Sequence, residues 1–338
     1  MEQNPQDGFW VEPIRELGYE VIEIERHGHA DFRRFWRLCQ LLRQKPWEIV
    51  HIFNDSQPSL YSRLAAVLTR QPYVIINERR HPSADPKWYR RLKRWWLNRQ
   101  ITAMVANARS SLDYAITTMH VPSSKTHYIP NGIDLGRFQR DPDLDARALL
   151  PDGWRAKIIV GTVGSLLSKK SPDVFVRVAR QVIDACPDAR FLHVGTGPLL
   201  PAVETLRNEL GLSEYLHFAG MRTDVPHLLQ AFDIFLMTSR NEGMPNAAME
   251  AMAMSLPCVV TDAGDSREVV RDGETGFVVP IGDTEALSAH IIRLINDEAL
   301  RQTLGQRGHT IIQDFSVERM AERYSQLYAS LLAKKPVG

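Results

Sequence analysis

The chain has 338 residues, 44% hydrophobic and 24% charged, which is about two domains' worth of ordinary soluble composition and excludes a disordered chain or a stapled mini-protein. No apolar run approaches the roughly 18 residues of a spanning helix, and the polar stretch Met1 to Trp10 lacks a secretory signal core. The net charge of +1 is unevenly spread: residues 1–150 carry 22 basic against 17 acidic side chains, and residues 151–338 carry 19 against 23.

Apolar segments of strand and helix type alternate along the whole chain. Trp10 to Leu17 reads as a helix closed by Gly18. A strand is expected at Tyr19 to Ile24, a helix at Asp31 to Arg43, and a strand at Ile49 to Phe53. Helix Ser59 to Thr69, strand Tyr73 to Ile76, helix Lys87 to Arg99 and strand Ile101 to Ala106 follow, then helix Ser110 to Met119 and strand Thr126 to Ile129. The strands are short and rich in Val and Ile, as when both faces of a parallel sheet are covered. The polar segment Asn131 to Gly153 reads as a linker, with the boundary near residue 150. Alternation then restarts: strands at Lys157 to Val163, Arg190 to Val194, Leu216 to Phe218, Ile234 to Met237, Cys258 to Val260 and Phe277 to Val279. Helices are expected at Asp173 to Ala185, Leu199 to Leu210, Val225 to Gln230, Asn246 to Met254, Asp283 to Asn296 and Val317 to Leu332. The pattern predicts two parallel-sheet α/β domains facing a cleft. Cys39, Cys186 and Cys258 lie far apart with no C-x-x-C, which argues against zinc and against a disulfide framework.

Two stretches carry candidate chemistry. Ser239 to Thr261 places Glu242 and Gly243 in a loop after a strand, with a helix beginning near Pro245 or Asn246. Unpaired first-turn amides there favour a phosphate or diphosphate, while Glu250, a turn further in, repels anions but can accept sugar hydroxyls. A plain strand–loop–helix with two solvated glutamates fits the same residues. Gly161 to Ser171 follows another strand and holds Lys169 and Lys170, ammonium groups suited to a leaving diphosphate or simply solvated at a helix start. It lacks the glycine before Lys-Ser that a P-loop needs, and neither it nor Gly195-Thr196-Gly197 completes a dinucleotide fingerprint.

Taken in order, Pro130-Asn131-Gly132-Ile133-Asp134, Gly164 to Lys170, Val194-Gly195-Thr196-Gly197-Pro198, Gly220 with Asp224-Val225, the pair Glu242 and Glu250, and Gly264 to Val270 with Gly273 to Gly276 resemble the retaining nucleotide-sugar glycosyltransferases of family 4. The resemblance covers residues 128–315 closely and 9–127 more loosely. It implies a GT-B fold: an acceptor-side Rossmann-like domain with linker over 1–150, a nucleotide-sugar domain over 151–315, and a helix at 316–338 returning toward the first domain. It implies a UDP- or GDP-linked sugar as donor, a glycan or lipid-linked acceptor, retention of configuration and no bound metal or other cofactor. Lys170 would contact the diphosphate, beside Gly164, Ser165, Lys169 and Gly197. Glu250 would hold the ribose, Glu242 would lie near the transferred sugar, and Gly243, Met244, Pro245 and Asn246 would offer backbone amides. Gly220, Met221 and Val225 would border the base.

Two departures from the family stand out. Ser165 occupies a position where an arginine is usual, with Lys169 or Arg240 as possible substitutes. The opening strand and glycine-rich loop are not found before Gly8, so the first domain is expected to lack its leading piece, by truncation or natural loss, and a catalytically inactive binding relative is the alternative. By position, Glu78 is the candidate sugar or acceptor contact in the first domain, against a solvated charged loop, and His81 stands three residues late. Arg79 to Arg99 holds eight basic residues and one acid. Its helix Lys87 to Arg99 groups Trp88, Leu92, Trp95 and Trp96 on one face, which fits an anionic membrane surface or burial against the sheet. The expected location is cytoplasmic, peripheral at the inner face of the cell membrane, with no nucleic-acid partner.

Overall fold

A computed structural model describes residues 11–24, 32–53, 57–78 and 96–333. The first domain contains a four-stranded parallel sheet, β1 (Val50–Ile52), β2 (Val74–Glu78), β3 (Ala103–Ala106) and β4 (Thr126–Tyr128), in that spatial order. Helices α1 (Val11–Glu16), α2 (Phe32–Gln44), α3 (Gln57–Leu68), α4 (96–100) and α5 (Arg109–Thr117) accompany it. The apolar strands are buried because both faces are covered. Ile52, Val74, Ile76 and Met104 share one cluster, while Ile75, Ala103 and Val105 belong to the other.

The expected strand at Tyr19 to Ile24 does not form; these residues belong to no strand, and Tyr19 is 67% exposed. A strand needs a neighbour to take its backbone groups, and no described strand offers one. Most of the expected helix Lys87 to Arg99, with Trp88, Leu92 and Trp95, and His81 with it, lies outside the described residues. At its described end Leu97 is buried while Trp96 is exposed.

The second sheet has six parallel strands in the order β10-β9-β8-β5-β6-β7. These are β5 (Ile158–Val163), β6 (Ala189–Val194), β7 (Leu216–Phe218), β8 (Ile234–Met237), β9 (Cys258–Thr261) and β10 (Gly276–Val279). Alternate strand residues go to opposite faces. Val160, Phe191, Ile234 and Val259 pack under α6 (Pro172–Ala185), α7 (Leu200–Glu209) and α11 (Thr284–Asn296). Ile159, Leu192, Phe235 and Val260 pack under α8 (Val225–Gln230) and α9 (Asn246–Ala253). That second core also takes Ile133, Phe138, Ala146, Leu150 and Trp154 from the polar-looking connecting segment. Arg147 pins it further, with a bidentate grip on Asp233 at 2.7 and 2.8 Å.

Two helices were not expected from the sequence, α10 (Ser266–Val269) and α12 (Glu298–Ile312). The last helix, α13 (Val317–Leu332), crosses back and lays Leu327 and Leu331 on Tyr73, Ile75 and Val105 of the first domain. Its Tyr328 hydroxyl meets His51 Nδ1 at 2.7 Å, and its Tyr324 hydroxyl accepts from Asn77 Nδ2 at 3.0 Å. The two crossings run side by side: Ile133 N–H donates to Phe315 O at 2.8 Å, and Val317 N–H to Ile133 O at 3.1 Å.

Candidate active site

Strand order fixes where a ligand can sit. From β5 the chain runs outward to β6 and β7, then returns to place β8 on the other side of β5. The loops leaving β5 and β8 therefore diverge, and the crevice between them at the carboxyl ends of the strands is the binding position of an open parallel sheet. The first of these loops is Gly164 to Lys170, and the second is Thr238 to Pro245.

The two loops are tied together. Lys170 Nζ lies 2.5 Å from Glu242 Oε1, and Ser239 Oγ donates to the same oxygen at 2.6 Å. The Glu242 side chain is 8% exposed and that of Lys170 25%. An ammonium has three N–H donors, so two remain after the bond to Glu242. Main-chain bonds reinforce the pairing: Arg240 N–H donates to Lys169 O at 2.9 Å, and Thr238 Oγ1 to Ser171 O at 3.0 Å. Arg240 Nε reaches Ser171 Oγ at 2.8 Å.

The second carboxylate behaves differently. Glu250, in α9, is half-buried, and burial pushes its carboxyl up to about 7 against the opposing pull of Arg137 and Lys170. It is poised between a charged acceptor and a neutral hydroxyl near neutrality. Helix α9 begins with no side chain capping its first amides; Asn246 N–H turns back to Met244 O at 3.0 Å, and the helix dipole leaves partial positive charge at that end.

Of the residues singled out in the sequence, Gly164, Ser165 and Lys170 share the wall of a small cavity of about 20 Å³ with Ser239 and His193. Gly197 packs on the backbone of Leu166, and Gly195 N–H donates to Gly220 O at 2.8 Å, so these loops form one layer. Met221 stands 70% exposed and Val225 is half-buried at the start of α8. Lys169 is exposed and acts through its carbonyl. Gly243, Met244 and Pro245 form the turn into α9, and Asn246 is its first residue. Glu78 is the last residue of β2, in the other sheet.

Sequence reasoning gave no role to Ser239, Arg137 and His193. Ser239 adjoins the recognisable loop and was within reach. His193 lies in β6, is buried, has no partner for Nδ1, and is held neutral by burial, which pushes it down to about 4. Nothing local in sequence marks it.

Two family models match the chain, "Glycosyl transferase 4-like domain" over residues 3–132 and "Glycosyl transferases group 1" over residues 157–297. Among curated proteins, the chain is 26% identical over 317 residues to an Escherichia coli UDP-Gal:alpha-D-GlcNAc-diphosphoundecaprenol alpha-1,3-galactosyltransferase, covering 90% of this chain and 81% of that one. It is 28% identical over 307 residues to the lipopolysaccharide core biosynthesis mannosyltransferase LpcC of Rhizobium leguminosarum bv. viciae, covering 88% and 81%. Among solved structures, the Anabaena HepE protein in complex with UDP-glucose superposes with a TM-score of 0.79 at 21% identity, over 96% of this chain and 90% of that one. That likeness establishes the two-domain GT-B architecture.

Proposed function

Since the chain belongs to the family 4 glycosyltransferases of GT-B fold, we propose that it moves a hexosyl unit from a UDP- or GDP-linked sugar to a glycan or lipid-linked acceptor, with retention of configuration and without a metal. The observation that carries this reading is the Lys170–Glu242–Ser239 cluster across the crevice at the strand ends, beside the uncapped start of α9. Relatives named for nucleotide-sugar donors and lipid-linked or lipopolysaccharide acceptors support the substrate class.

Bond cleavage between the anomeric carbon and the diphosphate leaves negative charge on the departing phosphate. Lys170 and the α9 amides stand where that charge would be neutralised, which is worth most in a site closed to water. Both bonds to Glu242 fall on Oε1, leaving Oε2 for a hydroxyl of the transferred sugar. Glu250 accepts the ribose hydroxyls. The departing phosphate oxygen takes the proton from the acceptor hydroxyl on the same face of the sugar, so the new bond keeps the old configuration.

A panel of UDP- and GDP-sugars, read by calorimetry and by slow donor hydrolysis, tests the proposal. Binding of one nucleotide class with hydrolysis that first releases the sugar in the donor's own anomeric configuration is the expected result. Tight binding without turnover would favour a non-catalytic relative, and no binding of any member would overturn the donor assignment.

A further inference from the structure

Residues 264 and 265 form a turn that touches both domains. Gly264 has φ +59°, and a Cβ built there would lie 2.2 Å from the carbonyl oxygen of Glu242. Only glycine meets both demands. The next residue, Asp265, donates its backbone N–H to Gly243 O at 3.0 Å. The turn is therefore the floor of the loop that carries Glu242 and Gly243.

The Asp265 side chain points the other way. Its carboxylate accepts from Arg109 N–H at 2.5 Å, Ser110 N–H at 3.2 Å and Ser110 Oγ at 3.0 Å. These are the first residues of α5 in the first domain. That helix has Ala108 at its N-cap and no capping side chain of its own. Asp265 is 3% exposed, so it sits inside the seam as a cap supplied by the opposite domain. Beside it, Arg109 Nε pairs with Glu268 at 3.0 Å. A second span runs from Asn107 Nδ2 to Asn131 Oδ1 at 3.1 Å and from Asn131 Nδ2 to Asn246 Oδ1 at 2.8 Å. Both ends of the 243–246 turn are thus held from outside the second sheet, one through Asp265 and one through Asn131.

We propose that Asp265 is a positioning residue: by capping α5 across the domain boundary while holding Gly243 from below, it makes seating of the first domain and ordering of the donor loop a single event. Separating the domains strips a buried carboxylate of its three donors and loosens the floor of the loop together. This rests on the donor reading given above, and the test separates the two.

The experiment compares the parent with Asp265→Ala, Asp265→Asn, Arg109→Ala and Arg109→Pro. Proline suits the first position of a helix, and Ala108 is already extended at φ −135° and ψ 143° as a residue before proline must be. Arg109→Pro therefore deletes the N–H that Asp265 accepts, while Arg109→Ala keeps it; both lose the guanidinium's pair with Glu268 and its seat over the Tyr128 ring, so the two differ at the N–H. Domain spacing is read by small-angle scattering, donor affinity by calorimetry with UDP- and GDP-sugars, and folding by circular dichroism.

Asp265→Ala is expected to enlarge the radius of gyration and weaken donor binding about tenfold, with Asp265→Asn in between, because its one amide oxygen can keep the Ser110 donors while its NH2 faces the Arg109 N–H. Arg109→Pro, which leaves both Ser110 donors in place, should fall between the parent and Asp265→Ala, and Arg109→Ala should stay nearer the parent than Arg109→Pro. Folded Asp265→Ala protein with parental scattering and affinity would overturn the proposal, as would an Arg109→Pro variant no weaker than Arg109→Ala. If the parent binds no nucleotide sugar the donor reading fails, and scattering alone then decides the cap: an Asp265→Ala curve that coincides with the parent overturns it, and an expanded one supports it.

Discussion

Removing the Lys170 ammonium tests the centre of the site most directly. In Lys170→Met the Glu242 carboxylate, 8% exposed, keeps only the Ser239 hydroxyl at 2.6 Å. Breaking a fully buried pair costs about 3–5 kcal/mol. Because the Lys170 side chain is 25% exposed, water can partly replace it, and a loss of about 2–3 kcal/mol is expected. Glu242→Gln retains a group that can accept from Ser239 and leaves an ammonium that water can reach, so about 1 kcal/mol is expected. The double variant should lose less than the sum, with a coupling of about 1–2 kcal/mol. Urea unfolding of the four proteins measures this cycle. Calorimetry at a temperature where all four are folded then measures the donor. Loss of one charge-assisted bond to a diphosphate is worth about 1.5–3 kcal/mol, which is roughly a 10- to 150-fold weaker Kd in Lys170→Met. Additivity of the two substitutions to within about 0.3 kcal/mol would refute the ion pair as a stabilising contact, and an unchanged Kd would refute Lys170 as a diphosphate ligand.

Other residues give separate readouts. Glu250 is raised from its ordinary 4.5 to about 7, so between these values the folded chain keeps a proton that the unfolded chain has released; its contribution is complete below pH 4.5 and lost as pH rises through 7. Glu250→Gln should flatten that part of the curve of Tm against pH. His193 is lowered from 6.5 to about 4; the unfolded chain takes up the proton first, so stability falls as pH drops from 6.5 toward 4. His193→Gln should weaken this acid dependence, and an unchanged slope would contradict a neutral buried imidazole. Gly195 has φ +133°, and a Cβ there would lie 2.0 Å from Gly164 O. Gly195→Ala is therefore expected to cost about 3 kcal/mol in urea unfolding and to weaken donor binding by more than tenfold as the Gly164–Ser165 loop shifts.

Much of the second domain was legible because its information is local. Each strand is a short Val- and Ile-rich run, and the loop before α9 announces itself by Glu242, Gly243 and Pro245 within a few residues. The first domain was less so. Tyr19 to Ile24 has strand composition, yet strand formation depends on a neighbour that no local pattern specifies. Helix α12 was not legible: it carries Gly305 and Gly308, poor helix formers, yet Gly305 lets the helix lie against the Ser255 backbone, 2.1 Å from where a Cβ would be. The polar segment after Asn131 resembled a loose connection, but its scattered apolar residues Ile133, Phe138 and Trp154 are anchors. Least legible were contacts between distant positions. Asp265 meets Arg109 and Ser110 across more than 150 residues, and nothing in either segment names the other.

The paired crossings at Ile133 and Val317 make the second domain an insert within the first domain's chain. It is spliced in at two neighbouring points, and the final helix completes the host. Under the donor reading proposed above, a chimera cut at those two points is expected to exchange donor preference as one cassette and leave the recipient's own cover in place. Shortening the protein after residue 315 would instead uncover Tyr73, Ile75 and Val105, far from the cut in sequence. For this chain the tail is part of the first domain's interior.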